Sequence, residues 1–238
     1  QTLNLWALQG KLDVTKLSFG VLPLVLNRYA LLNSGSALGN GVGPLLITND
    51  KNRNLNVEES LVAIPGKDTT AHVLFTLAFP EAKNKVFLTY NEIENFVLEN
   101  KGHVVIIHEN RFTYEQKGLV KIADLGDYWE RTTGSAIPLG GIVIKRELDV
   151  KLQQQVDKLI QKSLGFAFQH YPELNDFVRK HAQEMSEDVM RKHIDLYVNR
   201  FSLELGSTGR LAVKKFIETY CLVNNQERQV EDIFVEVD

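Results

Sequence analysis

The residue best suited to acid–base chemistry in this chain is His108, which directly follows the apolar run Val104–Ile107. Four β-branched residues in succession are typical of a strand buried on both faces, as in a parallel sheet. Functional groups of open α/β sheets collect in a crevice at the carboxyl ends of strands. His108 is therefore a candidate general base, although a histidine that merely packs at a strand end is the commoner outcome. Glu109 would point the opposite way if the strand continued, where it could orient a neighbour or be solvated.

A second polar strand end is predicted in the first part of the chain. Residues 14–18 form a short strand pattern, and Lys16 and Ser18 share one face of it because they are two residues apart. The alternative is a half-exposed strand with no ligand. This pattern predicts a polar face that can meet a ligand only if another wall lies opposite.

A helix start supplies a third polar group. The predicted strand Leu61–Ile64 leads through a Pro-Gly turn to Thr69 and Thr70, ahead of the apolar helix at 71–78. Either Asp68 or Thr69 is expected to cap this helix. Unpaired N–H groups in the first turn, with hydroxyls beside them, form a ready anion site. The alternative is that the threonines only cap the helix.

Several other chemistries are excluded by their missing signatures. The chain has no HExxH, CxxC or clustered carboxylates at metal-ligand spacing, so no metal site is predicted. No G-x-S-x-G elbow occurs, and Cys221 has no recognisable base signature near it. The glycines at 39, 41 and 43 do not match the spacing of a nucleotide-binding loop. We interpret the segment 34–44 as a tight passage of backbone past a ligand or another strand.

The composition is that of an ordinary globular protein and is compatible with an acidic small-molecule substrate. The 238 residues carry a net charge of −3 and are 44% hydrophobic, without a basic stripe, so a nucleic acid is not expected as partner. No apolar run is long enough to span a membrane. A single cysteine suits a reducing compartment, and we expect a cytoplasmic location. A homodimer is left open.

Strands alternating with helices in the first half, followed by a helical second half, predict an α/β fold. Helices are predicted at 2–10, 22–32, 71–78, 90–101, 127–133, 150–170, 172–181, 186–198 and 208–220, and strands at 14–18, 45–47, 61–64, 85–89, 104–107, 118–126 and 137–144. The simplest arrangement has two lobes. Residues 1–61 and 142–238 form the larger lobe, and residues 62–141 form a smaller lobe inserted into it. Strands near Val62 and Ile142 would cross between the lobes, and the cleft would hold a ligand.

A series of ordered motifs resembles those of the 1,4-dihydroxy-6-naphthoate synthase family of the futalosine route to menaquinone. The resemblance covers nearly the whole chain. The motifs are Asp13–Ser18, Arg28–Gly39, Gly41–Leu46, Ile64–Ala71, Ile106–Tyr114, Asp124–Gly126, Pro138–Gly140 and Tyr197–Ser202.

The resemblance implies a two-lobed fold like that of type II periplasmic binding proteins, with a central cleft. It implies a carbon–carbon lyase that converts cyclic dehypoxanthinyl futalosine to 1,4-dihydroxy-6-naphthoate and dihydroxyacetone. His108 matches the family's proton acceptor. The segments Lys16-Leu17-Ser18 and Thr69-Thr70 match its substrate-binding residues. Aromatisation of the product ring supplies driving force, so no cofactor is expected.

Two rival functions share this fold, and one segment departs from the family. The chorismate dehydratase of the same pathway is the nearest rival enzyme, and a non-catalytic solute-binding protein is the rival of another class. The stretch Ile107–Tyr114 favours the synthase. The family begins with a strand and a loop that precede the helix starting here at Thr2, so we expect the natural protein to have additional upstream residues.

Overall fold

The computed structural model describes residues 2–108, 110–182, 186–227 and 232–236. Its strands are β1 (Val14–Ser18), β2 (Tyr29–Leu31), β3 (Ala37–Gly39), β4 (Leu45–Asn49), β5 (Val62–Ile64), β6 (Lys85–Phe87), β7 (His103–Ile106), β8 (Leu119–Asp124) and β9 (Ile137–Lys145). Its α-helices are α1 (Thr2–Leu8), α2 (Leu22–Val25), α3 (Thr70–Ala78), α4 (Tyr90–Leu98), α5 (Asn110–Thr113), α6 (Leu125–Thr133), α7 (Val150–His170), α8 (Asp176–His181), α9 (Glu187–Tyr197), α10 (Arg200–Leu203) and α11 (Gly206–Val223).

The strands form two sheets. In the four-stranded sheet, β9 pairs antiparallel with β1, β2 and β3. The five-stranded sheet has the order β6-β5-β7-β4-β8, in which β5 runs parallel to β6 and β7, whereas β4 is antiparallel to β7 and β8. The predicted α/β composition is thus present, with one antiparallel and one mixed sheet.

Strand β7 occupies the middle of the five-stranded sheet, which explains its unbroken apolar sequence. All four of its residues are buried, because α4 covers one face and the main core lies against the other. The prediction of a strand buried on both faces is confirmed. The strand ends at Ile106, one residue earlier than predicted, and its neighbours are parallel on one side and antiparallel on the other.

The sheets group the strands differently from the predicted lobe limits at two places. Strand β4 belongs to the five-stranded sheet, although residues up to 61 were assigned to the larger lobe, and β9 lies wholly in the four-stranded sheet from Ile137 onwards. The chain therefore crosses between sheets at 40–44 and again through α6, not near Val62 and Ile142. The reason is that β4 is bordered on both sides, by β7 and β8, and has its partners there. The limits 1–61, 62–141 and 142–238 themselves stay a prediction.

The prediction of one helix over 22–32 is wrong. Only Leu22–Val25 is helical, and Tyr29–Leu31 forms strand β2 on β9. The apolar run is short enough to suit either structure, and the free edge of β9 decides it by burying all three strand residues. The Tyr29 hydroxyl fixes the strand further by donating to the Leu12 carbonyl at 2.7 Å.

The helical second half packs on the four-stranded sheet. In α7, the Asp157 carboxylate accepts hydrogen bonds from the backbone N–H of Ser34 at 2.9 Å and from the Asn33 amide at 3.0 Å. Helix α11 buries one face, including Val213 and Phe216, in the core that both sheets share. The predicted helices at 150–170, 186–198 and 208–220 are confirmed within a few residues. In the described ranges, no helix combines the length and apolarity needed to cross a bilayer.

The glycine-rich segment makes the tight backbone passage that its sequence predicts. Gly43, in the first crossing, lies against Gly126, in the second. A Cβ built on Gly43 would stand 2.2 Å from the Gly126 Cα, which is closer than atoms can approach. The two crossings therefore meet where neither chain can carry a side chain.

We expect Gly43→Ala to lower the free energy of unfolding by about 1–3 kcal/mol, because the added methyl forces the two crossings apart. Gly165→Ala in α7 is the matched control, since its methyl would meet nothing within 4 Å and should stabilise the helix by up to about 1 kcal/mol. Chemical denaturation of both variants measures the difference. Equal stability of Gly43→Ala and the parent protein would show that the crossings can separate without cost.

His103 begins β7 and is completely buried. Burial lowers its pKa, and the Leu55 backbone offsets only part of this effect. A lowered native pKa means that below about pH 6.5 the unfolded chain binds a proton that the folded chain does not, so stability falls with acidification until the native pKa is reached. We expect His103→Leu to remove part of this slope, up to about 1.4 kcal/mol per pH unit. Urea unfolding between pH 7.5 and 5 tests this, and an unchanged slope would contradict it.

Candidate functional site

The site lies at the carboxyl-terminal ends of two parallel strands in the five-stranded sheet; this end of the strands is called the edge below. Val62 of β5 pairs with His103 of β7, so the residues that follow these strands emerge at the same edge. Thr69 and Thr70 follow β5, and His108 follows β7. The sheet thereby brings two of the predicted functional segments to a common edge.

Ser18, at the end of β1, links the four-stranded sheet to the N-terminus of α3. Its Oγ accepts a hydrogen bond from the Thr70 backbone N–H at 2.9 Å and lies 3.3 Å from the Thr70 Oγ1. The Thr70 hydroxyl donates to the Leu139 carbonyl of β9 at 3.1 Å. Residues 18 and 70, predicted from separate patterns, are thus in direct contact between the two sheets.

The helix start itself is capped as predicted. Thr69 is the N-cap of α3, and its Oγ1 accepts from the His72 N–H at 3.2 Å while donating to the Gly66 carbonyl at 2.9 Å. The N–H groups of Thr70 and His72 are therefore already bound by hydroxyl oxygens. An anionic ligand that accepts from the Thr70 N–H would have to displace Ser18.

Asn4 of α1 is hydrogen-bonded both to the end of β1 and to the loop before α3. Its Oδ1 accepts from the Ser18 N–H at 3.0 Å, and its Nδ2 donates to the Asp68 carbonyl at 3.2 Å. One amide thus bridges the end of β1 and the loop before α3. The sequence pattern did not single out Asn4, because its position opposite both segments depends on how α1 packs against β1.

The remaining residues of the predicted β1 segment divide between the two faces of the strand. Lys16 is exposed on the face of Ser18, with its aliphatic chain beside the bare Gly140. Leu17 points the other way and is buried in the shared core. Leu17 can therefore meet a ligand only through its backbone, whereas Lys16 offers a cation on the polar face.

His108 leaves the sheet in a left-handed conformation. Its φ of +55° is one that non-glycine residues seldom adopt, and such residues concentrate at functional sites. The side chain is exposed, and its ring centroid lies 6.2 Å from that of His193 in α9. Strand geometry does not continue beyond Ile106, and Glu109 lies outside the described residues.

Arg111 ties the loop of His108 to both crossings. Its backbone N–H donates to the His108 carbonyl at 3.2 Å, and its guanidinium donates to the Gly43 carbonyl and to the Asp124 carboxylate, the latter at 3.1 Å. Asp124 in turn caps α6 through the N–H groups of Gly126 and Asp127. No role was assigned to Arg111 or Asp124 from the sequence. The only indication there was that both residues lie within motifs shared with the naphthoate synthase family.

His72 in the first turn of α3 and Lys85 of β6 form a pair of neighbouring titratable groups. The His72 Nε2 is 3.5 Å from the Lys85 Nζ, and the Lys85 ammonium donates to the Thr76 hydroxyl at 2.8 Å. Burial lowers the pKa of both residues, and each is lowered further by a neighbouring lysine. Neutral His72 is therefore favoured, with Nε2 as an acceptor for Lys85.

Hydroxyls and a lysine lie where β1 meets the N-terminus of α3, and an exposed imidazole follows the neighbouring strand β7. Groups of these kinds can bind a polar molecule and transfer a proton. Within the described part of the chain, no group of three His, Cys, Asp or Glu side chains gathers as a metal site would require.

Known proteins similar to this chain agree with one another. A 1,4-dihydroxy-6-naphthoate synthase of Thermus thermophilus is 42% identical over 90% of this chain and 78% of its own length. A synthase of the same name from Streptomyces coelicolor is 39% identical over 89% of this chain and 76% of its own length.

Solved structures give the fold. A crystal structure from Archaeoglobus fulgidus superposes with a TM-score of 0.86 at 26% identity, covering 94% of this chain and 83% of that one. The alkanesulfonate-binding protein of Xanthomonas axonopodis pv. citri, bound to MOPS, has a TM-score of 0.66 at 10% identity, covering 95% and 80%. The predicted periplasmic-binding-protein-like architecture is confirmed. The family model described as menaquinone biosynthesis matches residues 1–221, and the chain belongs to that family.

Proposed function

We propose that this protein is a 1,4-dihydroxy-6-naphthoate synthase, a carbon–carbon lyase that splits cyclic dehypoxanthinyl futalosine into the naphthoate and dihydroxyacetone. The observation that carries the proposal is that an exposed histidine and a polar wall lie at the carboxyl ends of neighbouring parallel strands. Ser18 and Thr70 form that wall together with Lys16, and His108 stands at the end of the neighbouring strand. The two curated synthases that match most of the chain support it.

The polar wall is suited to holding the substrate's carboxylate or hydroxyls. Lys16 supplies a positive charge, and the N-terminus of α3 supplies N–H groups and a partial positive charge. A bound carboxylate would replace the Ser18 Oγ as acceptor of the Thr70 N–H, and the Ser18 hydroxyl would then donate to that carboxylate. Because Ser18 and Thr70 come from different sheets, a ligand that binds both also fixes the sheets relative to each other.

His108 is the proposed base. A neutral imidazole removes a proton from the substrate, a carbon–carbon bond breaks in a retro-aldol-like step, and the ring becomes aromatic. The atoms of the substrate divide between the two products, so the reaction needs no added oxidant, reductant or water. An imidazole is suited to this step because it is unprotonated in part of its population near neutral pH.

The two rival functions make different demands on the same cleft. A chorismate dehydratase would release water from a different substrate, and a solute-binding protein would hold its ligand unchanged. The names of the two curated relatives favour the synthase over both. The likeness to the alkanesulfonate-binding protein, at 10% identity, concerns the fold alone. A cytoplasmic location stays a prediction, and a homodimer stays open.

We expect His108→Ala to lower the rate of naphthoate formation by at least about 10²-fold, since a positioned base contributes roughly 10²–10⁴-fold. His181→Ala is the matched control, because His181 ends α8 and its ring lies against Phe177 of the same helix. The assay follows naphthoate by absorbance after adding the cyclic substrate, with circular dichroism to verify folding. Near-normal turnover by folded His108→Ala would contradict the role of His108 as base.

We expect Ser18→Ala to raise the KM for the cyclic substrate about tenfold, because the variant loses a hydroxyl from the polar wall at a cost of about 1–3 kcal/mol. Ser60→Ala is the control, since the Ser60 hydroxyl donates to the Asn56 carbonyl within its own loop. Steady-state kinetics of both variants give the comparison. An unchanged KM for Ser18→Ala would remove Ser18 from the substrate-binding wall.

A further inference from the structure

A second histidine lies close to His108. His193 of α9 lies with its ring centroid 6.2 Å from that of His108, and the two rings are inclined by 36°. This separation is wider than that of two directly hydrogen-bonded imidazoles, and it is short enough for one bound molecule to contact both rings. The two imidazoles come from different parts of the fold, one from the five-stranded sheet and one from the helical second half.

The position of His193 on α9 indicates an inward-facing group. Met190, which is buried, and the half-buried Tyr197 lie three residues before it and four after it, on one helical face. The ring of Tyr197 lies 4.6 Å from that of His193. The histidine thus belongs to the face that turns toward the protein.

The charged side chains of α9 form ion pairs and a hydrogen bond on the outer side of the helix. Arg191 pairs with Glu187 at 2.7 Å, and Lys192 pairs with Asp188 at 2.7 Å, each one helical turn apart. Asp195 accepts a hydrogen bond from the Tyr171 hydroxyl. The rings of His108 and Tyr197 both lie beside that of His193, and Arg111 is bonded to the His108 backbone.

The end of α9 is fixed to the glycine-rich segment. The Asn199 amide donates to the Leu38 carbonyl of β3 at 2.7 Å, and its Oδ1 caps α10. Strand β3 directly precedes the first crossing between the sheets. The helix that carries His193 is therefore anchored close to the segment that Arg111 links to the loop of His108.

We propose that His193 is a second catalytic residue, which acts as the general acid opposite His108; this inference rests on the proposed lyase function. After His108 takes a proton and the carbon–carbon bond breaks, the electron pair of that bond is left on one fragment as an enolate. His193, as an imidazolium, donates a proton to that enolate and becomes neutral. The proton on His108 then returns to His193 through water, so the two histidines are reset without net uptake or release.

A base that must be neutral and an acid that must be protonated give a bell-shaped pH dependence of kcat/KM. His108 produces the fall in rate at low pH, and His193 produces the fall at high pH. Replacing His193 by an amide that cannot ionise should remove the alkaline limb and leave the acid limb. A merely structural histidine would not change the shape of this profile.

The test compares His193→Gln with the parent protein over pH 5.5–9 in the naphthoate assay. We expect kcat to fall about 10²-fold with KM changed less than about threefold, and the alkaline limb to disappear. His170→Gln is the matched control, because His170 is exposed at the end of α7 and stacks on Phe166 of its own helix. Added imidazole should restore part of the rate to His193→Ala.

The outcomes separate this inference from the proposed function. If the parent protein converts the cyclic substrate and folded His193→Gln keeps a bell-shaped profile, or a rate within threefold of the parent's, the role of His193 is wrong and the lyase function stands. If the folded parent protein does not convert the substrate, the proposed function falls. Loss of the alkaline limb together with rescue by imidazole supports the acid role.

Discussion

The backbone contact between Gly43 and Gly126 is the constraint from which the geometry of the cleft follows. The chain passes between the two sheets twice, and the crossings touch at these glycines with no room for a side chain. Arg111 adds a guanidinium that bonds to both crossings, through the Gly43 carbonyl and the Asp124 carboxylate. Because the same residue bonds to the His108 carbonyl, the position of the candidate base is set by the junction of the two halves.

The walls of the site are built by ordinary α/β rules applied to two sheets at once. Parallel pairing of β5 and β7 brings the helix start at Thr70 and the loop at His108 to one edge. Antiparallel pairing of β1 with β9 then presents Ser18 to that helix start, where one hydroxyl bonds to the Thr70 N–H. A ligand at this point would contact both sheets, which is the arrangement that a cleft between two lobes requires.

The sequence predicted the local features well and the long-range ones poorly. The buried strand before His108, the Thr69 cap and the polar face of β1 follow from periodicity and capping, which depend on neighbouring residues. The strand at Tyr29–Leu31, and the placement of β4 in the five-stranded sheet, depend on partner strands about 60 to 115 residues away. No local pattern could therefore reveal them. The role of Asn4, the Arg111–Asp124 pair and the approach of His193 to His108 likewise arise only from packing.

The proposed lyase function is tested most directly by the stoichiometry of the products that the protein forms from cyclic dehypoxanthinyl futalosine. Chromatography with mass detection can follow the substrate, 1,4-dihydroxy-6-naphthoate and dihydroxyacetone together. We expect each mole of substrate consumed to give one mole of each product without any added reactant. Substrate that binds to the folded protein but is recovered intact, or a product formed by loss of water alone, would contradict it.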